Sequence, residues 1–174
     1  GIIMENSVQN FCVCLLKNGK TSTVSSPDIN GIPDQIKTSV ISWVDIVTDR
    51  TEKLDKIISP EFGFSNEFLS KVFSSDKSRY EDFDSQLAII IPSITVSGFN
   101  VKLNSLYILI KENLVLTLHS HEIQRFVRLR RYGEVMLRKL NPKNKPEDNL
   151  SLILIRLIDE NNNRNFDYLK DIQE

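Results

Sequence analysis

Long apolar runs are missing from this 174-residue chain, and that shortage argues against a membrane-spanning helix within it. The longest uninterrupted apolar run covers only residues 11–16, whereas a spanning helix needs roughly 20 apolar residues. No basic segment followed by a sustained apolar one stands at the start, so no secretory signal is expected. An excess of charge of one sign is also absent, because 22 Lys and Arg face 23 Asp and Glu. The net charge of -1 gives no field that would attract nucleic acid, which is therefore not an expected partner.

Glycine and cysteine are scarce, which argues against several enzyme classes. The six glycines are scattered, so no phosphate-binding loop occurs, and no serine stands in a G-x-S-x-G motif. Neither Cys12 nor Cys14 has a helix start or a charged partner nearby that would activate its thiol. We interpret both as buried strand residues in a reducing compartment, because a C-x-C metal half-site has no further cysteine to complete it. The chain is therefore predicted to be no enzyme and to hold no tightly bound cofactor.

The sequence does contain a β-rich first part and a helical last part. Asn18-Gly19 predicts a tight hairpin, residues 25–34 predict a loop, and Pro92 predicts a strand end, a bulge or an edge. Strands are predicted at residues 11–16, 21–25, 40–47, 86–91, 101–110 and 114–118. Helices are predicted at residues 49–59, from Ser65, at residues 122–140 and from Pro146 onward.

This order of elements predicts a single α/β (mixed α+β) domain over residues 4–174. It should consist of a mixed β-sheet of about six to seven strands flanked by helices, with two long helices at the C-terminal end. Residues 1–3, which precede Met4, are interpreted as a remnant of cloning and are excluded from the fold.

Two groups of titratable residues invite a metal-binding interpretation. His119 and His121 form an H-x-H pattern at the end of a predicted strand, but a catalytic zinc would need a further ligand beyond the adjacent Glu122. We predict that both histidines lie at the surface. The acids of residues 81–84, with Asp76 nearby, could hold a hard cation but lack the spacing of a calcium loop, so a solvated turn is predicted there.

The predicted helix over residues 122–140 carries the most conspicuous charge pattern. At about 100° per residue its apolar side chains gather on one side, and Arg130 falls among them, so Arg130 is expected to need a buried or interfacial carboxylate partner. The opposite face can be a solvated surface or can dock an acidic partner, including another copy of the chain. Nucleic acid is disfavoured because no aromatic platform accompanies the charges. This candidate interaction face consists of Arg125, Arg128, Arg131, Arg138 and Lys139.

Several segments, taken in order, resemble one known family. The stretch from residue 43 to residue 172 is similar to the soluble cytoplasmic N-terminal domain of the CorA family of magnesium and cobalt transporters. The closest match is residues 106–119, which resemble the family's strand–turn–strand hairpin without a gap. Residues 43–46 (WVDI) resemble its W-[IV]-[DN]-[LIV] strand, and residues 77–84, 127–128 and 157–172 resemble its later segments.

The resemblance implies a cytoplasmic regulatory domain of a divalent cation (Mg²⁺ or Co²⁺) transporter, on the cytoplasmic side of the cell membrane. Family domains of this kind contribute to subunit assembly and to gating by cations. The implied partners are further copies in a pentamer, the protein's own transmembrane part and divalent cations, with Mg²⁺ bound in the full assembly. The sequence stops before the family's stalk helix, its two transmembrane helices and its glycine-methionine-asparagine signature.

The resemblance also points to a place for a regulatory cation. In the family, Mg²⁺ lies between subunits, bound by one aspartate on a short helix and another on the stalk. The first of these positions falls at or next to Lys71, with Ser70 beside it, and neither is a cation ligand of that type. Glu67 and Asp76 are the nearest acids that could substitute. The alternative function is a stand-alone soluble binding module whose basic helix face (residues 122–140) docks an acidic partner.

Overall fold

The described part of the chain folds around one seven-stranded β-sheet. The computed structural model describes residues 8–26, 32–74, 79–83, 85–121, 123 and 130–173. The order across the sheet is β2-β1-β3-β7-β6-β5-β4, which confirms the predicted mixed sheet of six to seven strands. The strands are β1 (Val8–Leu15), β2 (Thr21–Ser26), β3 (Ile41–Thr48), β4 (Arg79–Phe83), β5 (Gln86–Ser97), β6 (Asn100–Lys111) and β7 (Leu114–His119).

One parallel pair joins the two halves of this sheet. β3 and β7 run parallel, whereas β1 pairs antiparallel with both β2 and β3, and β4 to β7 form an antiparallel meander. The β1–β2 hairpin turns at Asn18-Gly19 as predicted, with Gly19 at φ 83°. Because β3 and β7 are parallel, their carboxyl ends meet at the same edge of the sheet, which is where α/β proteins commonly place functional groups.

Helices cover both faces of the sheet. One face packs against α1 (Ile32–Lys37), α2 (Asn66–Val72) and the 3₁₀ turns Leu54–Lys56 and Pro60–Phe62. The other packs against α3 (Gly133–Arg138) and α4 (Pro146–Gln173). Neighbouring residues of β3, Trp43 and Val44, belong to opposite cores, and all eight residues of β3 are buried. The result is a three-layer α/β/α domain.

The predicted helix starts at Ser65 and Pro146 are confirmed. The Ser65 hydroxyl accepts a hydrogen bond of 3.1 Å from the Phe68 amide, which caps α2. Glu147 and Asp148 follow Pro146 in the first turn of α4, where acids favour a helix N-terminus. α4 is a single helix of 28 residues.

The other long helix, predicted over residues 122–140, is wrong. Arg130 is helical, but Ile123 is not, Arg131 and Tyr132 form a turn, and α3 has only six residues; residues 122 and 124–129 of the predicted helix lie outside the described residues. Gly133 begins α3 directly after the break, and a Cβ atom there would lie 3.2 Å from Cγ1 of Val13, so the first turn of α3 packs closely against β1.

Three shorter predictions are also wrong. The predicted loop of residues 25–34 contains the start of α1, whose Ile32 and Ile36 are buried one helical turn apart. Residues 49–59 form no α-helix, and the chain there contains the 3₁₀ turn Leu54–Lys56. Residues 81–83 form part of β4 instead of a solvated turn, because charged residues are well suited to the outer strand of a sheet.

The hairpin of β5 and β6 extends beyond the strands that the structure describes on either side of it. The two strands pair over all twelve residues, but β4 pairs only as far as Ile90 and β7 only from Tyr107 onward. We call the outer part, residues 91–106, the β5–β6 arm. Pro92 does not end β5, which continues to Ser97, but it lies past the last described β4 partner, as the alternative prediction of an edge position has it.

Candidate functional site

The most elaborate polar cluster among the described residues lies at the carboxyl ends of β3 and β7. Asp45 on β3 stands opposite Thr117 on β7, and His119 ends β7 two residues later. Asp45 follows Trp43 by two residues, so its side chain points to the same face, toward α3 and α4. Asp45, Thr117 and His119 are all buried.

Both carboxylate oxygens of Asp45 are hydrogen-bonded. Thr117 Oγ1 donates to Oδ1 over 2.6 Å, and Trp43 Nε1 in turn donates to Thr117 Oγ1 over 2.9 Å. His119 Nε2 lies 2.8 Å from Oδ1. Arg130 Nε donates to Oδ2 over 2.7 Å, and Arg130 Nη2 donates to the Asp45 backbone carbonyl oxygen over 3.1 Å. A buried carboxylate satisfied in this way is stable without solvent.

The charges of this cluster hold Asp45 in its ionised form. Burial raises the pKa of the Asp45 carboxyl, but the charge and hydrogen bond of His119, the charge of Arg130 and the Thr117 hydroxyl outweigh it, so the pKa lies below its ordinary value. His119 Nδ1 also lies 2.8 Å from the Ser120 carbonyl oxygen. Both ring nitrogens of His119 therefore face oxygen atoms.

Because the Asp45 oxygens already have partners, the cluster has no free oxygen to offer a substrate or a metal ion. The cluster attaches Arg130 to the centre of the sheet through its ion pair with Asp45. The expected buried carboxylate partner of Arg130 is therefore confirmed, and it is Asp45.

Sequence reasoning missed Asp45 as a member of this cluster and placed His119 wrongly at the surface. His119 is 2% exposed, because β7 is buried along its whole length between the two helical layers. The sequences of β3 and β7 both contained a signal of this buried cluster. A lone acid in the apolar strand ISWVDIVT and a histidine closing LVLTLH indicate a buried pair more strongly than a surface strand end.

The second histidine lies at the surface as predicted. The side chain of His121 is 63% exposed, and its Nδ1 contacts Oδ1 of Asp49, just beyond the end of β3. This pair supplies two possible metal ligands at the same edge of the sheet. In the described ranges no three histidine, cysteine, aspartate or glutamate side chains are grouped so that they could hold a metal ion.

The candidate metal ligands are not brought together by the described structure. Glu67 lies on the exposed side of α2, together with Ser70 and Lys71. Asp76 falls outside the described residues. A regulatory cation site on this chain therefore stays a prediction.

The candidate interaction face is only partly covered by the structure. Arg125 and Arg128 lie outside the described residues, whereas Arg131, Arg138 and Lys139 are exposed around α3. Arg138 pairs with Glu134 one turn earlier, at 3.1 Å, which reduces the positive charge that this face offers to a partner.

The two cysteines are buried and free, as predicted. Their sulfur atoms lie 3.6 Å apart on one side of β1, and Cys14 Sγ lies 3.1 Å from the Ser42 hydroxyl. Hydrogen bonds, first from Cys12 and then from the nearby hydroxyls, lower the pKa of Cys14 to about 7 in spite of the burial that raises it.

A groove of about 640 Å³ lies at the opposite edge of the sheet, beside the β6–β7 turn. Its volume is that of a small-molecule pocket, but its walls mix Lys37 and Lys111 with three carboxylates, so they select no single ligand charge. Lys111 Nζ already donates to the Gly63 carbonyl oxygen over 2.6 Å. The acids of the groove are Glu61, Glu112 and Glu147.

Comparison with known proteins identifies the family to which this fold is related. The model of the CorA-like Mg²⁺ transporter protein family matches residues 38–174. No curated protein sequence matches the chain. Within the described residues no helix is both long and apolar enough to cross a membrane.

Solved structures share the fold at low sequence identity. The soluble domain of CorA from Methanocaldococcus jannaschii has a TM-score of 0.66 and 19% identity, over 98% of this chain and 62% of that one. The complete CorA magnesium transporter from the same organism has a TM-score of 0.66 and 19% identity, over 99% of this chain and 49% of that one. The ZntB cytoplasmic domain from Vibrio parahaemolyticus has a TM-score of 0.60 and 12% identity, over 98% of this chain and 63% of that one. The chain thus spans less than two thirds of each of these structures.

Proposed function

Because the chain belongs to the CorA-like Mg²⁺ transporter family, we propose that it is the cytoplasmic regulatory domain of a divalent cation transporter. In this proposal it lies on the cytoplasmic side of the membrane, attached to a transmembrane part, and contributes to subunit assembly and to gating by Mg²⁺ or Co²⁺. The observation that supports the proposal most is the family match over residues 38–174, which contain every element from β3 to α4. The shared three-layer fold is consistent with it.

Regulation by a cation requires that the cation bind one arrangement of subunits more tightly than another. Mg²⁺ prefers oxygen ligands in octahedral geometry, and the described residues of one copy supply no group of three suitable side chains. We propose that the ligands come from two neighbouring copies, with Glu67 and Asp76 as the contributions of this chain. An exposed position such as that of Glu67 on α2 is compatible with a site that forms between copies.

The transporter assignment is tested by the natural gene. If this chain is the cytoplasmic part of a transporter, the reading frame after Glu174 encodes two apolar stretches of roughly 20 residues each. A reading frame that stops close to Glu174 would contradict the transport function and leave a stand-alone module.

Cation sensing is tested by thermal unfolding in the presence of Mg²⁺. A site on the folded assembly stabilises it by about 1.4 kcal/mol at a Mg²⁺ concentration ten times the dissociation constant. NaCl at matched ionic strength controls for screening of surface charges. We expect Glu67→Gln to reduce the rise in melting temperature and Glu61→Gln, an exposed acid in the groove, to leave it unchanged. A rise that neither variant alters would exclude Glu67 as a ligand.

A further inference from the structure

The segment from residue 131 to residue 145 is basic, in contrast to the rest of the chain. It carries five Lys or Arg residues and one acid, Glu134, and so has a net charge of +4. Since the whole chain has a net charge of -1, the remaining residues sum to -5. Positive charge is therefore concentrated around α3 and the connection that leads to α4.

Four of these cations are available to a partner. The only acid of the segment is already engaged, because one oxygen of Glu134 pairs with Arg138 and the other accepts from the Thr23 hydroxyl. No ion pair joins any of the other four cations to a residue that the structure describes. All four are exposed, namely Arg131, Lys139, Lys143 and Lys145.

Two exposed apolar side chains lie among these cations. Tyr132 is 63% exposed and Val135 is 46% exposed. Tyr132, Val135 and Lys139 are three and four positions apart, and the Met136 amide donates to the Tyr132 carbonyl oxygen over 2.8 Å, so these side chains share one side of the helix. We call this group of residues the α3 surface, and it consists of Arg131, Tyr132, Val135, Lys139, Lys143 and Lys145.

The inner side of the same segment holds the α3 surface in place. Leu137 is fully buried in the core. In the connection to α4, the Asn141 side chain accepts from the Lys143 amide over 2.9 Å, and the buried Asn149 side chain donates to the Asn141 carbonyl oxygen over 3.1 Å. The backbone that carries the cations is thus ordered before any partner binds, which reduces the entropy lost on binding.

We propose that the α3 surface binds anionic lipid headgroups of the cytoplasmic leaflet. This inference rests on the proposed function, which places the chain on the cytoplasmic side of a membrane and attaches it there. That leaflet carries anionic lipids, which attract exposed Lys and Arg residues. Segments that lie at a membrane surface combine basic residues with apolar side chains that enter the headgroup region, and Tyr is enriched at this boundary. The α3 surface contains both kinds of residue.

A membrane suits this surface better than other anionic partners do. A planar bilayer meets only one side of the chain, and acids more than about 8 Å away are largely screened at physiological salt. A nucleic acid would follow the cations equally well but has less use for the exposed Val135, and a long polyanion also meets the negative remainder of the chain. Attachment to a membrane gives the lipid a high effective concentration that a free acidic protein lacks.

The number of cations sets the expected strength. Each Lys or Arg near an anionic leaflet strengthens binding about five-fold, so four of them favour anionic over neutral lipid on the order of several hundred-fold. Salt weakens this attraction because it screens the charges. The isolated chain should therefore bind vesicles weakly and reversibly, whereas attachment to the membrane would maintain the contact.

The test is sedimentation of the full chain with sucrose-loaded vesicles. Phosphatidylcholine vesicles with and without phosphatidylserine, at about two to one, are compared in about 20 mM and about 300 mM NaCl. Arg131→Gln/Lys139→Gln/Lys143→Gln removes three cations of the α3 surface. The matched control removes three exposed cations on the other side of the sheet, and it is Lys37→Gln/Lys53→Gln/Lys56→Gln.

A third variant, Tyr132→Ser, tests whether the surface enters the headgroup region. Trp43 fluorescence confirms that every variant is folded, since Trp43 is fully buried. Heparin and single-stranded RNA serve as soluble polyanions for comparison with the vesicles.

We expect the wild type and the charge control to bind the anionic vesicles in low salt, with little binding to neutral ones. The α3 variant should lose roughly a hundred-fold in partition constant, and Tyr132→Ser should lose roughly five-fold at either salt concentration, because apolar contact is not screened. Equal losses in the two charge variants, or no loss in Tyr132→Ser, would overturn the inference. Binding of the wild type to heparin or RNA but not to vesicles would also overturn it and assign the surface to nucleic acid.

The outcome is distinguishable from failure of the proposed function. If the gene encodes the two apolar stretches after Glu174 but the wild type binds no anionic vesicle in low salt, this inference alone is overturned. A reading frame that stops close to Glu174 would overturn both, since the chain would then have no attachment to a membrane.

Discussion

Arg130 Nε lies 2.7 Å from Oδ2 of Asp45, an ion pair between residues 85 positions apart in the chain. The guanidinium also lies 5.4 Å from the centre of the Phe11 ring, so it contacts β1 as well as β3. The Asp45 side chain is fully buried, and that of Arg130 is 12% exposed. The segment that leads into α3 is thus held on the sheet by one buried carboxylate.

Replacing Asp45 by Asn should destabilise the domain strongly. Asn keeps the shape of the side chain but leaves Arg130 without its counter-charge and His119 without its carboxylate partner. Removing one partner of a buried ion pair typically costs about 3–5 kcal/mol in free energy of unfolding. Urea unfolding followed through Trp43, the only tryptophan and a fully buried one, measures this change.

An exposed ion pair provides the control for that substitution. Arg138→Gln breaks the pair with Glu134 on α3, whose side chains are 55% and 43% exposed. Exposed pairs of this spacing contribute about 0.3–0.5 kcal/mol, so the variant should unfold at nearly the wild-type urea concentration. Equal losses in the two variants would mean that Asp45 contributes no more than a surface charge.

Acid should remove the stabilisation that Asp45 provides. Its pKa is lower in the folded chain than in the unfolded chain, so the unfolded state binds the proton first as the pH falls. The stabilisation is complete above the unfolded value of about 4 and is lost as the pH falls further, toward the folded pKa. The free energy of unfolding, measured between pH 6 and pH 2.5, should fall less steeply in Asp45→Asn than in the wild type. Identical slopes below pH 4 would contradict the assignment.

Gly63 and Gly19 should differ in their tolerance of a methyl group. Both have positive φ, 88° and 83°, so Ala should cost about 1 kcal/mol in backbone strain at either position. At Gly63 the new Cβ would also lie 2.9 Å from Lys111 Nζ and displace the ammonium from the Gly63 carbonyl, whereas at Gly19 no atom lies within 4 Å. Gly63→Ala should therefore cost up to about 1 kcal/mol more in thermal or urea unfolding.

A double-mutant cycle separates the two contributions at Gly63. In a Lys111→Met background the hydrogen bond is already absent, so Gly63→Ala should cost the same as Gly19→Ala in the wild type. An excess that persists without the ammonium would show that backbone strain at Gly63, and not the contact with Lys111, accounts for the difference.

The sequence predicted the sheet better than the helices, and the reason is physical. Alternating and continuous apolar runs such as ISWVDIVT specify strands locally, and the Asn18-Gly19 turn specifies its own hairpin. The helix over residues 122–140 has a convincing amphipathic pattern, but the chain turns at Arg131 and Tyr132 before α3 packs against β1 at Gly133, a contact that only the tertiary structure determines. α1 was missed because its two buried isoleucines are separated by polar residues typical of loops.

The polar cluster around Asp45 was also predictable only in part. The position of Arg130 on the apolar side of its segment predicted that it would need a carboxylate, because a buried guanidinium cannot lose its charge. The identity of that carboxylate could not be predicted, since it depends on the parallel pairing of β3 with β7, which places Thr117 opposite Asp45 and His119 two residues farther along. Local patterns indicate that a residue needs a partner, and topology decides which residue provides it.

The two thiols should be unreactive in the folded chain although one of them has a low pKa. Hydrogen bonds from Cys12 and from nearby hydroxyls lower the pKa of the Cys14 thiol, which favours the thiolate, and thiolates are the reactive form. Cys12 and Cys14 are both fully buried, however, so a reagent such as a disulfide-containing chromogen reaches them only when the structure opens. We expect no labelling of the native chain within minutes and two equivalents in denaturant. If labelling proceeds through global opening, the loss of about 3–5 kcal/mol in Asp45→Asn should accelerate it by roughly two to three and a half orders of magnitude, because each 1.4 kcal/mol of lost stability raises the open fraction ten-fold. Rapid labelling of the wild type without denaturant would show that β1 opens locally and that the burial of its thiols does not protect them.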